Sequence, residues 1–109
     1  MDYSFDRFLR YDELCAWLHA QAAAHPGLVT IETYGRSYEG RDLLLATITD
    51  SSTGAHDTKP AHWVDANIHA IEVTGGVAAL YLIHHLLSGF GTDAQVTEFL
   101  LSTCFSGLQ

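Results

Sequence analysis

The stretch from Val73 to Thr92 contains no Asp, Glu, Lys or Arg, and it constrains the fold more than any other part of the chain. Thr74, Gly75, Gly76, His84, His85, Ser88 and Gly89 dilute it. Its dense apolar part is about seven residues, well short of the ~20 needed to span a bilayer. The pattern predicts a helix over residues 72–87 that is apolar nearly all round, covered on several sides by protein and not by membrane. Just before it, residues 61–68 read as a strand with Trp63, Val64 and Ile68 as its bulky apolar members. Strand then buried helix opens a crossover unit, whose partner strand should follow soon after Leu101.

The rest of the chain supplies the surroundings. Leu14, Trp17, Leu18 and Ala22 form one apolar stripe on a helix over residues 12–24, with Gln21 at the stripe's edge and Pro26-Gly27 ending it. Residues 28–34 and 41–49 read as two strands joined by "GRSYEG", an antiparallel hairpin. The polar segment 50–60, closed by Pro60, reads as a loop. Thr92 is expected to cap a last helix, with Asp93 in its first turn and Val96, Phe99 and Leu100 facing inward. The order α-β-β-loop-β-α-α predicts the α/β class: a partial mixed sheet, hairpin plus one further strand, flanked by helices. At 109 residues this is at most one domain, able to bury about two-thirds of its unfolded surface.

Several function classes drop out. A net charge of −8 with five dispersed Lys/Arg argues against nucleic acid as a partner. Cys15 and Cys104 have no zinc-cluster spacing and read as buried thiols. The first fourteen residues, "MDYSFDRFLRYDEL", show no signal-peptide pattern. The compartment is left open, cytoplasmic by default.

Chemistry concentrates at "NIHAIE", where His69 precedes Glu72 by three positions. Seven histidines and five glutamates in a chain of this length give roughly 0.3 such pairs by chance, so location has to decide. His69 falls at the carboxyl end of the predicted strand and Glu72 in the first turn of the helix, the place where open α/β sheets bind ligands. His62 and Asp65 share the spacing but lie within the strand, pointing to opposite faces. A catalytic zinc takes three protein donors and an open position. His69 and Glu72 provide two, and no spacing forces His19, His25, His56, His84 or His85 to join them.

"GRSYEGRDL" (35–43) followed by "KPAHWVDANIHAIE" (59–72) resembles the opening of a zinc metallocarboxypeptidase of the carboxypeptidase A/B type, and "YDEL" (11–14) is similar to the start of that family's first helix. The resemblance covers residues ~10 to 105 and is far more specific than the His-x-x-Glu pair alone. It implies the N-terminal third of that fold, with residues 1–109 a truncated segment of the catalytic domain. His69 and Glu72 would be two of the three protein ligands of one Zn²⁺, holding a water that attacks the C-terminal bond of a peptide or protein substrate.

No catalytic residue carries over. The family's third ligand (a histidine), general-base glutamate, carboxylate-clamping arginines and substrate-contacting tyrosine have no counterpart here, so the chain alone is expected to be inactive. Ile71 stands where many members have an arginine, which puts one outer substrate contact in doubt. "FLLSTCF" (99–105) resembles the approach to the next family strand. Asp65 reads either as a buried acceptor behind a metal-bound imidazole or as a structural carboxylate; Glu39 and Arg41 read as turn residues. Two other readings stand beside this one. The chain could be a non-catalytic remnant or binding module that self-associates through exposed apolar surface. Alternatively it is an aspartoacylase-like zinc amidohydrolase, against which His-Ala-Ile-Glu stands in place of that group's usual His-Gly-Asn-Glu.

Overall fold

The computed structural model describes residues 3–108, with side chains described as far as Cys104. The chain runs α1 (Tyr11–Ala24), β1 (Val29–Arg36), β2 (Asp42–Ile48), β3 (Ala61–Asp65), α2 (Val73–Gly89), α3 (Ala94–Ser102) and β4 (Cys104–Leu108). Short 3₁₀ turns at Ser51–Thr53 and His56–Thr58 occupy the expected loop. The strands make one mixed sheet in the order β1-β2-β4-β3. β1 and β2 form the anticipated antiparallel hairpin, with Gly40 at its tip in the left-handed region (φ 81°) and an irregularity between Thr33 and Gly35.

The sheet holds one strand more than the sequence suggested. β4 lies between β2, to which it is antiparallel, and β3, to which it is parallel. The crossover β3-α2-α3-β4 is thereby closed. Pairing begins where Cys104 N–H donates to the Pro60 carbonyl at 2.9 Å.

Periodicity explains the core. Trp17 and Leu18 from α1, Leu80, Ile83, Leu86 and Leu87 from α2, and Val96 and Leu100 from α3 pack with Leu44, Ala46 and Ile48, the alternate residues of one β2 face. The apolar helix differs from expectation in its surroundings. Its buried residues, Gly76, Ala79, Leu80, Ile83, Leu86 and Leu87, lie on one face. Thr74, Ala78, Tyr81, His84, His85 and Ser88 are exposed, so the helix is covered on one side and not on several. Small and polar residues tolerate this better than the bare count of apolar positions implied. Among the described residues no single helix is long and apolar enough to cross a membrane. Cys104 is buried and Cys15 half-buried, and no disulfide joins them.

The carboxyl end of α3 is closed by the loop before β3. Thr49 Oγ1 lies 3.1 Å from the Leu100 carbonyl, Asp50 N–H donates to the same oxygen at 2.9 Å, and Thr53 Oγ1 donates to Leu101 O at 2.7 Å. Lys59 Nζ then donates to Thr49 Oγ1, Asp50 O and Thr53 Oγ1, each at 2.8 Å. Helix ends leave carbonyls unpaired, and a cation beside them is favourable. Here side chains do the work that a glycine cap does elsewhere. At the other end of α3 the cap is Asp93, not Thr92: the Asp93 carboxylate accepts from Gln95 N–H and Val96 N–H. The Thr92 hydroxyl turns back to the Ser88 and Gly89 carbonyls and finishes α2 instead.

Candidate metal centre

β3 stops at Asp65, three residues before its predicted end, and the reason is local. Asn67 adopts φ 60°, a conformation that strands do not contain and that Asn tolerates better than most residues. Its side chain lies against α2 at Gly76, where a Cβ would sit 3.0 Å from Asn67 Oδ1. A Cβ there would force the Asn67 side chain to shift, so Asn67 and Gly76 together shape the angle at which the chain leaves the sheet and enters the helix.

The elbow that follows presents the predicted pair. Glu72 is the N-cap of α2, immediately before the first helical turn where it was expected. Its backbone N–H donates to the His69 carbonyl at 2.9 Å. The carboxylate reaches back: Oε2 accepts from His69 N–H at 3.2 Å, and Oε1 lies 3.0 Å from His69 Nδ1. The hydrogen bond to the His69 ring, then the one from its backbone, holds the Glu72 carboxyl below its ordinary value. Glu72 is therefore ionised at neutral pH. Both side chains are open to water, 73% and 53% exposed.

Zinc fits this donor set. Zn–N and Zn–O bonds of about 2.0–2.2 Å at tetrahedral angles place two donors about 3.3 Å apart, close to the 3.0 Å between Nδ1 and Oε1. A metal ion would take the place of the proton that Nδ1 shares with the carboxylate: with the ring proton moved to Nε2, Nδ1 and the carboxylate would face the same space as donors. Among the described residues no group of three or more His, Cys, Asp or Glu side chains converges to hold a metal ion.

The remaining candidates lie apart from the pair. Asp65 is exposed at the end of β3 and, among the described residues, has no hydrogen bond or ion pair to its side chain. His62 packs edge-on to Phe99, and His84 packs on Phe5 and Tyr81. His19 is exposed on α1, His25 caps its end and His56 lies in a 3₁₀ turn. Arg41 and Glu39 form an exposed ion pair at 2.7 Å on the hairpin. Ile71 is 90% exposed. Sequence reasoning gave Asn67 no role; its signal was an Asn two residues beyond an apolar strand, followed by a Gly-Gly pair in the helix.

An imidazole and a carboxylate thus meet off the carboxyl end of a parallel strand in a mixed sheet, the place where open α/β sheets bind ligands. The chain belongs to the zinc carboxypeptidase family, whose pattern matches residues 14–106. It is 29% identical over 99 residues to carboxypeptidase A6 of Mus musculus, covering 91% of this chain and 22% of the relative. Over 87 residues it is 33% identical to zinc carboxypeptidase A 1 of Drosophila melanogaster, covering 79% and 20%. The crystal structure of thrombin activatable fibrinolysis inhibitor superimposes with a TM-score of 0.85, covering 95% of this chain and 25% of that one, at 22% identity. The chain thus spans about a fifth of the length of the curated relatives it matches.

Proposed function

We propose that this chain is the metal-presenting opening segment of a peptidase that removes residues from the C-terminus of peptides or proteins, with His69 and Glu72 as two ligands of one zinc ion. The observation that carries this is the 3.0 Å approach of His69 Nδ1 and Glu72 Oε1 at the β3–α2 elbow, in a chain of the zinc carboxypeptidase family. Zinc in such a site supplies Lewis-acid activation of water and of the scissile carbonyl. The chain's own part is to orient. Asn67 and Gly76 fix the elbow, and the backbone N–H of His69 holds one carboxylate oxygen so that the other stays aimed at the imidazole. A third donor, the general base and the groups that grip a terminal carboxylate come from outside the described residues.

A complete four-ligand zinc site is worth about 10–16 kcal/mol, or roughly 2.5–4 per ligand. Two protein ligands in place of the three of a catalytic site then weaken binding about a hundred- to a thousand-fold. The chain alone should bind zinc weakly, by calorimetric titration, and show no peptidase activity. His69→Ala and Glu72→Gln should each weaken zinc binding at least tenfold further. Tight stoichiometric binding by the unaltered chain, or binding indifferent to both substitutions, would refute the assignment.

A further inference from the structure

Lys59, the single lysine of the chain, takes no part in the zinc site. It stands just before β3, at the opposite end of that strand from the His69–Glu72 elbow. Among the described residues its ammonium has no carboxylate within ion-pair distance. Its partners are neutral oxygens: Thr49 Oγ1, the Asp50 carbonyl and Thr53 Oγ1, each at 2.8 Å, with the Leu100 carbonyl at 3.5 Å. Acceptors at three points and one distance match the protons of an ammonium.

These oxygens are held by bonds of their own. The Thr49 hydroxyl has the Leu100 and Thr103 carbonyls at 3.1 and 3.0 Å to receive its proton, and the Thr53 hydroxyl donates to Leu101 O at 2.7 Å. Both hydroxyls therefore turn lone pairs, not protons, toward the ammonium. Asp50 N–H donates to Leu100 O at 2.9 Å, which fixes the peptide on which the Asp50 carbonyl is carried. The last carbonyls of α3 add the negative end of the helix dipole.

The donor set selects the cation. Ca²⁺ and Mg²⁺ take oxygens at about 2.3–2.6 and 2.0–2.1 Å and draw on carboxylates. The Asp50 carboxylate is engaged elsewhere, accepting from Ser52 N–H and Oγ at 3.0 and 2.6 Å. Uncharged oxygens spaced for contacts of 2.8 Å suit a large monovalent ion instead, as carbonyl cages for K⁺ do. We propose that the loop between β2 and β3 and the end of α3 form a binding site for a monovalent cation, K⁺ or a primary ammonium, with Lys59 as its tethered occupant.

Lys59→Ala removes the equivalent of a propylammonium and leaves the cage open, whereas Lys59→Met fills the path to it with an uncharged chain. Thermal melts of both variants and of the unaltered full chain, followed by Trp17 fluorescence, are compared in propylammonium, potassium and tetramethylammonium chlorides. At about 0.2 M, propylammonium and K⁺ should raise the Tm of Lys59→Ala about 2–3 °C above its value in tetramethylammonium, the shift of a half-filled site. The unaltered chain and Lys59→Met should show no such difference between salts. Equal melting of Lys59→Ala in every salt, or the same rescue of Lys59→Met, would overturn the proposal. A second measurement needs no variant: acetylation of Lys59 in the unaltered chain by an amine-reactive ester, beside the end-blocked peptide Asp-Thr-Lys-Pro-Ala. The caged amine should react at least tenfold more slowly than the peptide's. An equal rate would overturn the proposal as surely as failed rescue.

Discussion

Replacing Lys59 by methionine keeps the aliphatic stem and removes the ammonium that ties the 50–58 loop to the end of α3. Three hydrogen bonds at 2.8 Å are lost at once. Hydrogen bonds involving a charged group contribute about 1.5–3 kcal/mol each, but water can replace the ammonium at exposed acceptors. Thr53 is exposed and Asp50 only half-buried, whereas Thr49 is 7% exposed. The cost is thus mainly one charged bond at Thr49, with about 0.3–1 kcal/mol more from the helix dipole of α3. A total of about 2–4 kcal/mol follows. For a chain of this length that is a fall in Tm of roughly 8–15 °C. Trp17, 3% exposed in the core, reports unfolding by fluorescence in a urea titration. In a double-mutant cycle, Lys59→Met and Thr49→Val should couple by at least about 1 kcal/mol. A Tm change below about 4 °C, or strict additivity, would show that the loop closes the helix without its lysine.

Acid should weaken the fold through Asp50 and Glu13. Hydrogen bonds from the Ser52 hydroxyl and N–H lower the Asp50 carboxyl, and those from Arg10 N–H and the Arg7 side chain lower Glu13. Groups depressed in the folded state contribute stability above their unfolded values, near 4, and that contribution is lost as pH falls through the depressed values. Urea midpoints should hold between pH 5 and 7 and drop below pH 4, and Asp50→Asn should flatten part of that drop; an unchanged pH profile in that variant would count against it. Asp93→Ala should cost about 1 kcal/mol by removing the cap of α3. Thr92→Ala should cost less, and the reverse ranking in thermal melts would restore Thr92 as the cap.

Most elements were legible because their signals are periodic. The stripe Leu14–Trp17–Leu18 fixed α1, and alternation through Leu44, Ala46 and Ile48 fixed β2. The family motif marked His69 and Glu72 because a strand-to-helix elbow turns a sequence spacing into a spatial one. β4 was foreseen as a need of the topology but not found as a strand, since "CFSGL" carries Ser and Gly at positions where only pairing to both neighbours makes a strand. The early end of β3 was hidden for a related reason. Nothing in "DANIH" announces a positive φ at Asn67; it becomes visible only once Gly76 is known to lie beneath it.

Strand order has a consequence for assembly. Within the sheet, β3 reaches the hairpin only through β4, which follows both in sequence. Until those five residues slide between β2 and β3, the two halves of the sheet are separate pieces on a common tether, and such long-range insertion is the slow kind of folding event. The imidazole–carboxylate elbow and the hairpin acquire a fixed distance from each other only once β4 is in place. β4 acts here as a keystone: shaving it away would leave both pieces present and their alignment gone.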